Sequence, residues 1–317
     1  MVREGPGGGA GPGDEQGHPQ GEADEFPAGG GADEVGPLPG RTPLFRAQHS
    51  ERYARQSLLA EYEQLTGATL IVLIDQIFPA NLTLLEELLF DCVPAQPLHV
   101  LMASPGGDGE TAIRMVRSMQ SRCSALTIVL PDMAKSAATL MCLGADAIVM
   151  GPAGDLGPVD PQFQIGGRGL AGAKEIVRAI DEAEERITKN PDTYPLFAGL
   201  LADVNMLMVE QARSALDRTE ALVREALGCH RGRSTLEVKQ LARKLQAPLI
   251  DDPASHSAVI PVEAARGFGL PAVAADPHSA EWSLIWALWT RYFTLGCFPA
   301  GQVAIYEGRR ASHVIPP

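Results

Sequence analysis

The chain of 317 residues has few cysteines and aromatic residues, and its basic residues form no long run. Its five cysteines are scattered and never spaced as Cys-x-x-Cys, so the sequence predicts neither a disulfide framework nor a zinc site. We expect reduced thiols in a cytoplasmic protein that needs no metal and no cofactor. Since the formal net charge is −13 and no basic run opposes it, nucleic acid is not an expected partner.

Long apolar runs and a targeting signal are also missing. The most apolar stretch, residues 137–150, is interrupted by Asp146 and falls short of the roughly 20 residues that a membrane-spanning helix needs. The N-terminus lacks the order of basic and then apolar residues that a signal peptide has. The sequence therefore predicts no membrane span.

Residues 1–41 differ in composition from the rest of the chain. The first 40 residues hold 13 of the 33 glycines, eight acidic residues and one basic residue, Arg3. A segment so poor in apolar side chains cannot offset the entropy of ordering, so we predict a disordered, acidic, Gly/Pro-rich leader. Two further parts are predicted: a main domain over residues 42–275, and a Trp-rich helix with a tail over residues 276–317.

Short apolar runs alternate with helical patterns after the leader. Strands are predicted at residues 70–75, 98–103, 126–130 and 147–150, with helices at residues 50–65, 81–91 and 110–121. Such alternation is typical of an α/β fold with right-handed crossovers and a mostly parallel sheet. Beyond the last strand the sheet is expected to be complete, and the C-terminal part is predicted to be helical at residues 171–188, 196–228, 234–245 and 280–294.

The last predicted helix contains all three tryptophans. They form a stripe with two other apolar residues at helical spacing: Trp282, Ile285, Trp286, Trp289 and Phe293. Such a stripe buries a large apolar area. It predicts packing on the chain's own core, with a subunit interface as the alternative.

Three short segments contain residue types that acyl transfer requires. Ser104-Pro105-Gly106-Gly107 follows a strand, and paired glycines let the backbone turn an amide toward a bound group. Ser136 lies at the start of an apolar helix, where it is either an N-cap or a nucleophile beside oxyanion-stabilising amides. Residues 154–162, GDLGPVDPQ, form a loop with the carboxylates Asp155 and Asp160.

The order of these segments resembles the ClpP/crotonase superfamily of serine peptidases. Ser136 follows Gly107 by 29 residues, and the strand GADAIVM comes next. The loop LGPVDPQ is similar to that of the serine dehydrogenase proteinases (SDH family), with the SppA signal peptide peptidases more distant. The likeness covers residues 42–273, including PLFRAQHSERYARQS and HSAVIPVEAARGFGLPAV. It implies repeated β-β-α (βαβ) units, a serine-type peptidase that works without ATP, and a homo-oligomer.

The resemblance also implies roles for single residues. Ser136 corresponds to the nucleophile, and backbone amides of Gly107, Gly106 and Ala137 correspond to the oxyanion hole. The family order of serine, aspartate and histidine assigns Asp160 and a downstream histidine, His256 first and His230 second. A Ser-Lys dyad like that of SppA is the alternative, with Lys174 or Lys189 as base. Lys135 is unusual for the family, and its side chain is expected to point away from that of Ser136.

Two further functions stay open at this point. A catalytically inactive scaffold of the same fold is favoured by the lack of any histidine between Ser136 and Cys229. A crotonase-type acyl-CoA hydratase or isomerase would use the same oxyanion hole on a thioester enolate. For the leading hypothesis, a serine hydrolase, the expected partner is a peptide or protein substrate.

Overall fold

The computed structural model describes residues 42–165, 169–251 and 258–317. The predicted leader and His256 lie outside these ranges. Residues from Thr42 to Pro317 group together as one unit.

Helices and strands alternate in the first part of this unit. The elements are α1 (Pro43–Thr66), β1 (Thr69–Ile74), α2 (Asn81–Leu89), β2 (Leu98–Ala103), α3 (Gly109–Ser121), β3 (Leu126–Leu130), β4 (Met133–Ala134), α4 (Ala137–Leu143) and β5 (Ala147–Met150). The predictions for β2, β3 and β5 are confirmed to the residue. Their apolar runs are largely buried because helices cover both faces of a parallel sheet.

The second part is richer in helices. Its elements are β6 (Asp155–Leu156), β7 (Gln162–Ile165), β8 (Gly169–Gly172), α5 (Ala173–Lys189), α6 (Tyr194–Leu200), α7 (Met206–Gly228), α8 (Thr235–Gln246), α9 (Val262–Gly267), β9 (Ala272–Ala274), α10 (Ala280–Thr294), β10 (Ala304–Gly308) and β11 (Ser312–Ile315). The predicted helix 196–228 is two helices. Asn205 begins the second of them, because its side chain accepts the amide of Met208 at 2.9 Å.

Within the described ranges, seven strands form the main sheet in the order β11-β10-β1-β2-β3-β5-β9. Strands β1, β2, β3, β5 and β9 are parallel, and β10 and β11 are antiparallel to their neighbours. The predicted α/β class with a mostly parallel sheet is confirmed. The carboxyl ends of β1, β2 and β3 consequently meet at one edge of the sheet, which positions the loops that follow them.

The prediction that the sheet is complete before residue 170 is wrong. Strand β9 extends it beyond β5, and the β10–β11 hairpin extends it beyond β1. All five residues of β10 are buried, including Glu307, which forms an ion pair with Arg55 at 2.7 Å. Residues 276–317, predicted from the sequence to be a separate part, thus share one sheet with the preceding elements.

Two hydrophobic layers enclose the sheet. Helices α2, α3, α4, α7 and α8 pack on one face, and α1 and α10 pack on the other. Trp282, Ile285 and Trp289 belong to the second layer, as predicted, but Trp286 and Phe293 are each 48% exposed on the far side of α10. The five residues therefore do not form one buried stripe. No helix in the described part of the chain is long and apolar enough to cross a membrane.

Candidate active site

Ser136 occupies a sharp turn between β4 and α4. Its backbone has φ 51° and ψ −119°, and it is the one non-glycine residue with positive φ in the described ranges. Such a conformation costs about 1–3 kcal/mol and persists only where the surroundings enforce it. Although Ser136 is at the N-cap position, its side chain makes no capping hydrogen bond. A strained turn from strand to helix is the geometry that exposes a nucleophilic serine in α/β-hydrolases.

Backbone hydrogen bonds bring the three predicted motifs together around this turn. The amide of Ser136 donates to the carbonyl of Pro158 at 3.0 Å, which ties the turn to the GDLGPVDPQ loop. The amide of Lys135 donates to the carbonyl of Ser104 at 3.1 Å, which ties the turn to the Ser104–Gly107 segment. The loops that follow β2, β3 and β5 therefore meet at one place.

Gly106 and Gly107 approach their neighbours more closely than any side chain would allow. Gly106 has φ +100°, and a Cβ there would lie 2.6 Å from the Cβ of Ser136. Gly107 has φ +142°, and a Cβ there would lie 2.2 Å from the carbonyl oxygen of Ile77. Both positions require glycine.

The two glycine amides differ in orientation. Gly106 donates its amide to the Oγ of Ser104 at 3.1 Å. Gly107 forms a parallel bridge with Ile77, in which Ile77 bonds to the carbonyl of Gly106 and to the amide of Asp108, both at 2.8 Å. In a parallel bridge the central residue turns its own amide to the opposite side, so the amide of Gly107 points away from Ile77.

The loop after β1 supports this bridge. Asp75, just past β1, accepts hydrogen bonds from the side chains of Asn81 at 2.9 Å and Tyr306 at 3.1 Å. Burial raises the pKa of Asp75, and the hydrogen bonds from Gln76, Tyr306 and Asn81 oppose that rise. The carboxyl group thus holds both ends of the loop that carries Ile77.

Asp160 lies in the loop whose Pro158 carbonyl receives the amide of Ser136. It is almost fully buried, at 1% exposure, and accepts a hydrogen bond from Nε2 of Gln162 at 2.9 Å. A Cβ on Gly172 would lie 3.0 Å from Oδ2 of Asp160, which places this carboxylate next to the start of α5. The loop therefore links Ser136 to the first turn of α5.

The two lysines proposed as alternative bases have different surroundings. Lys174 lies in that first turn of α5, with Nζ 3.9 Å from a carboxylate oxygen of Glu175 and a side chain that is 19% exposed. The carboxylate of Asp160 lies next to the same end of α5. Lys189 lies at the other end of α5, where its side chain is 72% exposed and pairs with Glu185.

His230 lies at the opposite edge of the sheet from Ser136. Its Nε2 is 3.3 Å from Oδ1 of Asp146. The other oxygen of Asp146 accepts the amide of Leu126, the first residue of β3, at 2.6 Å. Ser136 follows the last residue of β3, so the length of this strand separates the two.

The segment after His256 runs beside the residue that precedes Ser136. The described chain resumes at Ala258, whose carbonyl accepts a hydrogen bond from Nζ of Lys135 at 3.2 Å. Ile260 then pairs with Leu156, whose carbonyl accepts the amide of Ile260 at 2.9 Å. This segment is thus in contact both with Lys135 and with Leu156 of β6.

An ion pair in this region was not predicted from the sequence. Lys135 is only 8% exposed, and its Nζ lies 2.6 Å from Oδ1 of Asp155. Its side chain passes over Gly157, where a Cβ would lie 2.2 Å from Cδ of Lys135. Burial raises the pKa of the nearby Asp132, Asp155 raises it further, and Lys135 opposes the rise. Gly157, which leaves room for the side chain of Lys135, is the one feature of the local sequence that could have indicated this ion pair.

The sequence matches the family of ClpP-like SDH-type serine proteinases over residues 90–278, more than half of the chain. The chain belongs to this family. The predicted site residues, from Gly106 to His256, all fall inside the matched range. The match leaves out α1, β1, α2, all of α10 and the β10–β11 hairpin.

The chain is also similar to two uncharacterized proteins of Methanocaldococcus jannaschii. It is 26% identical to MJ0137 over 175 residues, which are 55% of this chain and 53% of the relative. It is 25% identical to MJ1495 over 149 residues, which are 47% of this chain and 44% of the relative. The chain spans about half the length of these curated relatives.

Two solved structures are similar to this chain at low identity. One is a mutant form of the 1510-N membrane-bound stomatin-specific protease, with 13% identity, a TM-score of 0.38 and coverage of 65% of this chain and 77% of that one. The other is ClpP1 from Listeria monocytogenes, with 12% identity, a TM-score of 0.37 and coverage of 70% of this chain and 97% of that one.

Proposed function

We propose that this protein is a serine peptidase in which Ser136 attacks the carbonyl carbon of a peptide bond. The observation that carries the proposal is the Ser136 turn, which has a positive φ, a side chain that does not cap α4 and a glycine turn packed against it. Strained backbone of this kind clusters at active sites, and a strained strand-to-helix turn is the geometry that exposes a nucleophilic serine, so a function that needs the hydroxyl explains the conformation. Family membership supports the class of reaction.

In the proposed mechanism Oγ of Ser136 forms a bond to the carbonyl carbon while its proton passes to a general base. The carbonyl oxygen becomes an oxyanion that accepts hydrogen bonds from the amides of Gly107 and Ala137. One such donor contributes about 2.7–4 kcal/mol to transition-state stabilisation. The base then protonates the leaving amine, and water hydrolyses the acyl-enzyme. Gly106 holds the turn, since its amide donates to Ser104.

For the base we propose His256, with Asp160 as the residue that orients it. Two observations support this choice. The loop of Asp160 accepts the amide of Ser136, and the chain two residues after His256 is hydrogen-bonded to Lys135. Lys174 is the second candidate, because it lies in the first turn of α5 beside Asp160. His230 is not proposed, since it pairs with Asp146 at the other edge of the sheet.

The first experiment is labelling of the purified full chain with a fluorophosphonate, read by intact mass and peptide mapping. We expect one label on Ser136 in the wild type and none in Ser136→Ala. Ser283→Ala, which removes an exposed hydroxyl from α10, is the matched control and should label like the wild type. If the folded wild type takes no label while a control serine hydrolase does, the peptidase proposal fails and the scaffold function replaces it.

The second experiment identifies the base from the labelling rate of three variants. Removing a general base typically lowers a rate by about 10²–10⁴-fold. We expect such a loss in His256→Ala, and rates within about twofold of the wild type in Lys174→Ala and in the matched control His230→Ala. A large loss in Lys174→Ala with none in His256→Ala would establish a Ser-Lys dyad instead.

The homo-oligomer expected from the family resemblance and the cytoplasmic location expected from the scattered cysteines remain predictions. Sedimentation velocity of the full chain tests the first of them.

A further inference from the structure

Lys135 directly precedes the proposed nucleophile and is buried. Lysine is almost never fully buried unless it is paired, because an unpaired charge is costly to remove from water. Here Nζ lies 2.6 Å from Oδ1 of Asp155, 3.2 Å from the carbonyl oxygen of Ala258 and 3.5 Å from that of Leu156. One ammonium group thus contacts two segments that are about a hundred residues apart in the chain.

The surroundings of Lys135 are fitted to its side chain. Gly157 has no Cβ at the point where a Cβ would lie 2.2 Å from Cδ of Lys135. The backbone of Lys135 is fixed as well, since its amide donates to Ser104 and its carbonyl accepts the amide of Ala138 at 2.9 Å. Both the main chain and the side chain of this residue are therefore held in one position.

A residue with strained backbone keeps its conformation only when its neighbours enforce it. The amide of Ser136 donates a hydrogen bond to the carbonyl of Pro158. The preceding residue, Lys135, is fixed by its own hydrogen bonds and by its ion pair with Asp155. Because Nζ also holds Leu156 and Ala258, it fixes the Ser136 turn relative to the GDLGPVDPQ loop and to the segment after His256. Misplacement by about 1 Å in such a site can lower a rate by about 10²-fold.

We propose that Lys135 is a positioning residue of the site, whose ammonium group ties the Ser136 turn to strand β6 at Asp155 and Leu156 and to Ala258 in the segment after His256. Its contacts are to structural groups and not to reacting atoms. This inference rests on the proposed role of Ser136 as nucleophile.

The test is Lys135→Met in the full chain, which keeps an unbranched side chain and removes the ammonium group. We expect fluorophosphonate labelling of Ser136 to slow by about 10²-fold, and kcat for a peptide substrate to fall while KM changes little. We also expect faster hydrogen exchange at the amides of Leu156 and Ile260, with exchange in the β2–β3 ladder unchanged. Lys135→Arg, which keeps a cation, should recover part of the labelling rate.

Arg55→Met is the matched control, because it removes the cation of the other buried ion pair, far from Ser136 in the layer formed by α1 and α10. It should label within about twofold of the wild type. Asp155→Asn keeps the carbonyl contacts of Lys135 and provides a second test if Lys135→Met does not fold. Because it removes the charge that Nζ contacts, we expect Ser136 to label more slowly than in the wild type.

The outcomes separate the two proposals. The role of Lys135 would be overturned if Lys135→Met labelled at the wild-type rate and its amides of Leu156 and Ile260 exchanged hydrogen as in the wild type. If Lys135→Met does not fold, a wild-type rate in Asp155→Asn would do the same. In both cases Ser136 would stand as the nucleophile. Failure of the wild type to label would overturn the nucleophile itself, whatever the exchange data show.

Discussion

Two buried ion pairs differ in what they hold together. Arg55 and Glu307 join α1 to β10, and the Glu307 carboxylate also accepts the hydroxyl groups of Tyr292 at 2.8 Å and Ser312 at 2.6 Å. Lys135 and Asp155 join loops, and the remaining partners of Nζ are backbone carbonyls. The first pair is enclosed by regular elements and apolar side chains, whereas the second borders a turn with a strained backbone.

Buried ion pairs therefore have two different roles in this fold. The Arg55 pair fixes α1 to strand β10 of the sheet, so its loss should affect the stability of the whole unit. The Lys135 pair fixes loops around Ser136, so its loss should affect the site more than the fold. We therefore expect that mutations can change the stability of the fold and the geometry of the site separately.

The largest effect is expected for Arg55→Met. It leaves Glu307 buried without its cation, which typically costs about 3–5 kcal/mol in the free energy of unfolding. Urea denaturation measures this loss, and the folded fraction should still label at Ser136 at the wild-type rate. The double variant Arg55→Met/Glu307→Leu should recover most of the stability, since a well-packed apolar pair can replace a buried ion pair. A loss of less than about 1 kcal/mol in the single variant would contradict the comparison.

An intermediate effect is expected for Gly107→Ala. Its new Cβ would lie 2.2 Å from the carbonyl of Ile77, so the backbone must move and the proposed oxyanion donor moves with it. Loss of one donor lowers the labelling rate by about 10²–10³-fold. Gly67→Ala is the matched control, because Gly67 also has a positive φ, +70°, but a Cβ there would meet no atom within 4 Å. Equal labelling in the two variants would count against the donor role.

The smallest effect is expected for the stability of Ser136→Gly relative to Ser136→Ala. Both variants lose the hydroxyl, but only glycine adopts positive φ without strain. Relief of about 1–3 kcal/mol of strain, less the greater entropy of an unfolded glycine, leaves Ser136→Gly more stable by about 1 kcal/mol. Thermal unfolding of the two variants measures the difference. A higher melting temperature for Ser136→Ala would show that this turn stores no strain.

Local sequence patterns predicted the strands whose environment is uniformly apolar. Strands β2, β3 and β5 consist mostly of apolar residues, and their bounds follow from that run alone. Strand β10 could not be predicted in this way, because it contains Tyr306 and Glu307. Their partners, Asp75 and Arg55, lie more than two hundred residues earlier in the chain.

The candidate site was predictable to a similar degree. The position of Ser136 after a strand and before a helix is visible in the sequence, and the family resemblance connects it with Gly107 and Asp160. The positive φ of Ser136 and the Lys135–Asp155 pair were not predictable, because they depend on how separate loops pass one another in space. Helical spacing likewise placed Trp286 in a buried stripe, although it lies on the outer face of α10.

The position of β10 has a consequence for the order of events during synthesis. Strand β1 is paired on one side by β2, which follows it closely, and on the other side by β10, which the ribosome makes more than two hundred residues later. Until then one side of β1 exposes an unpaired apolar edge. Before β10 is made, Asp75 also lacks the hydrogen bond that the hydroxyl of Tyr306 donates to it. The loop that holds Ile77 against Gly107 is then incompletely supported. A nascent chain therefore cannot complete the surroundings of Ser136 until its C-terminal hairpin has emerged.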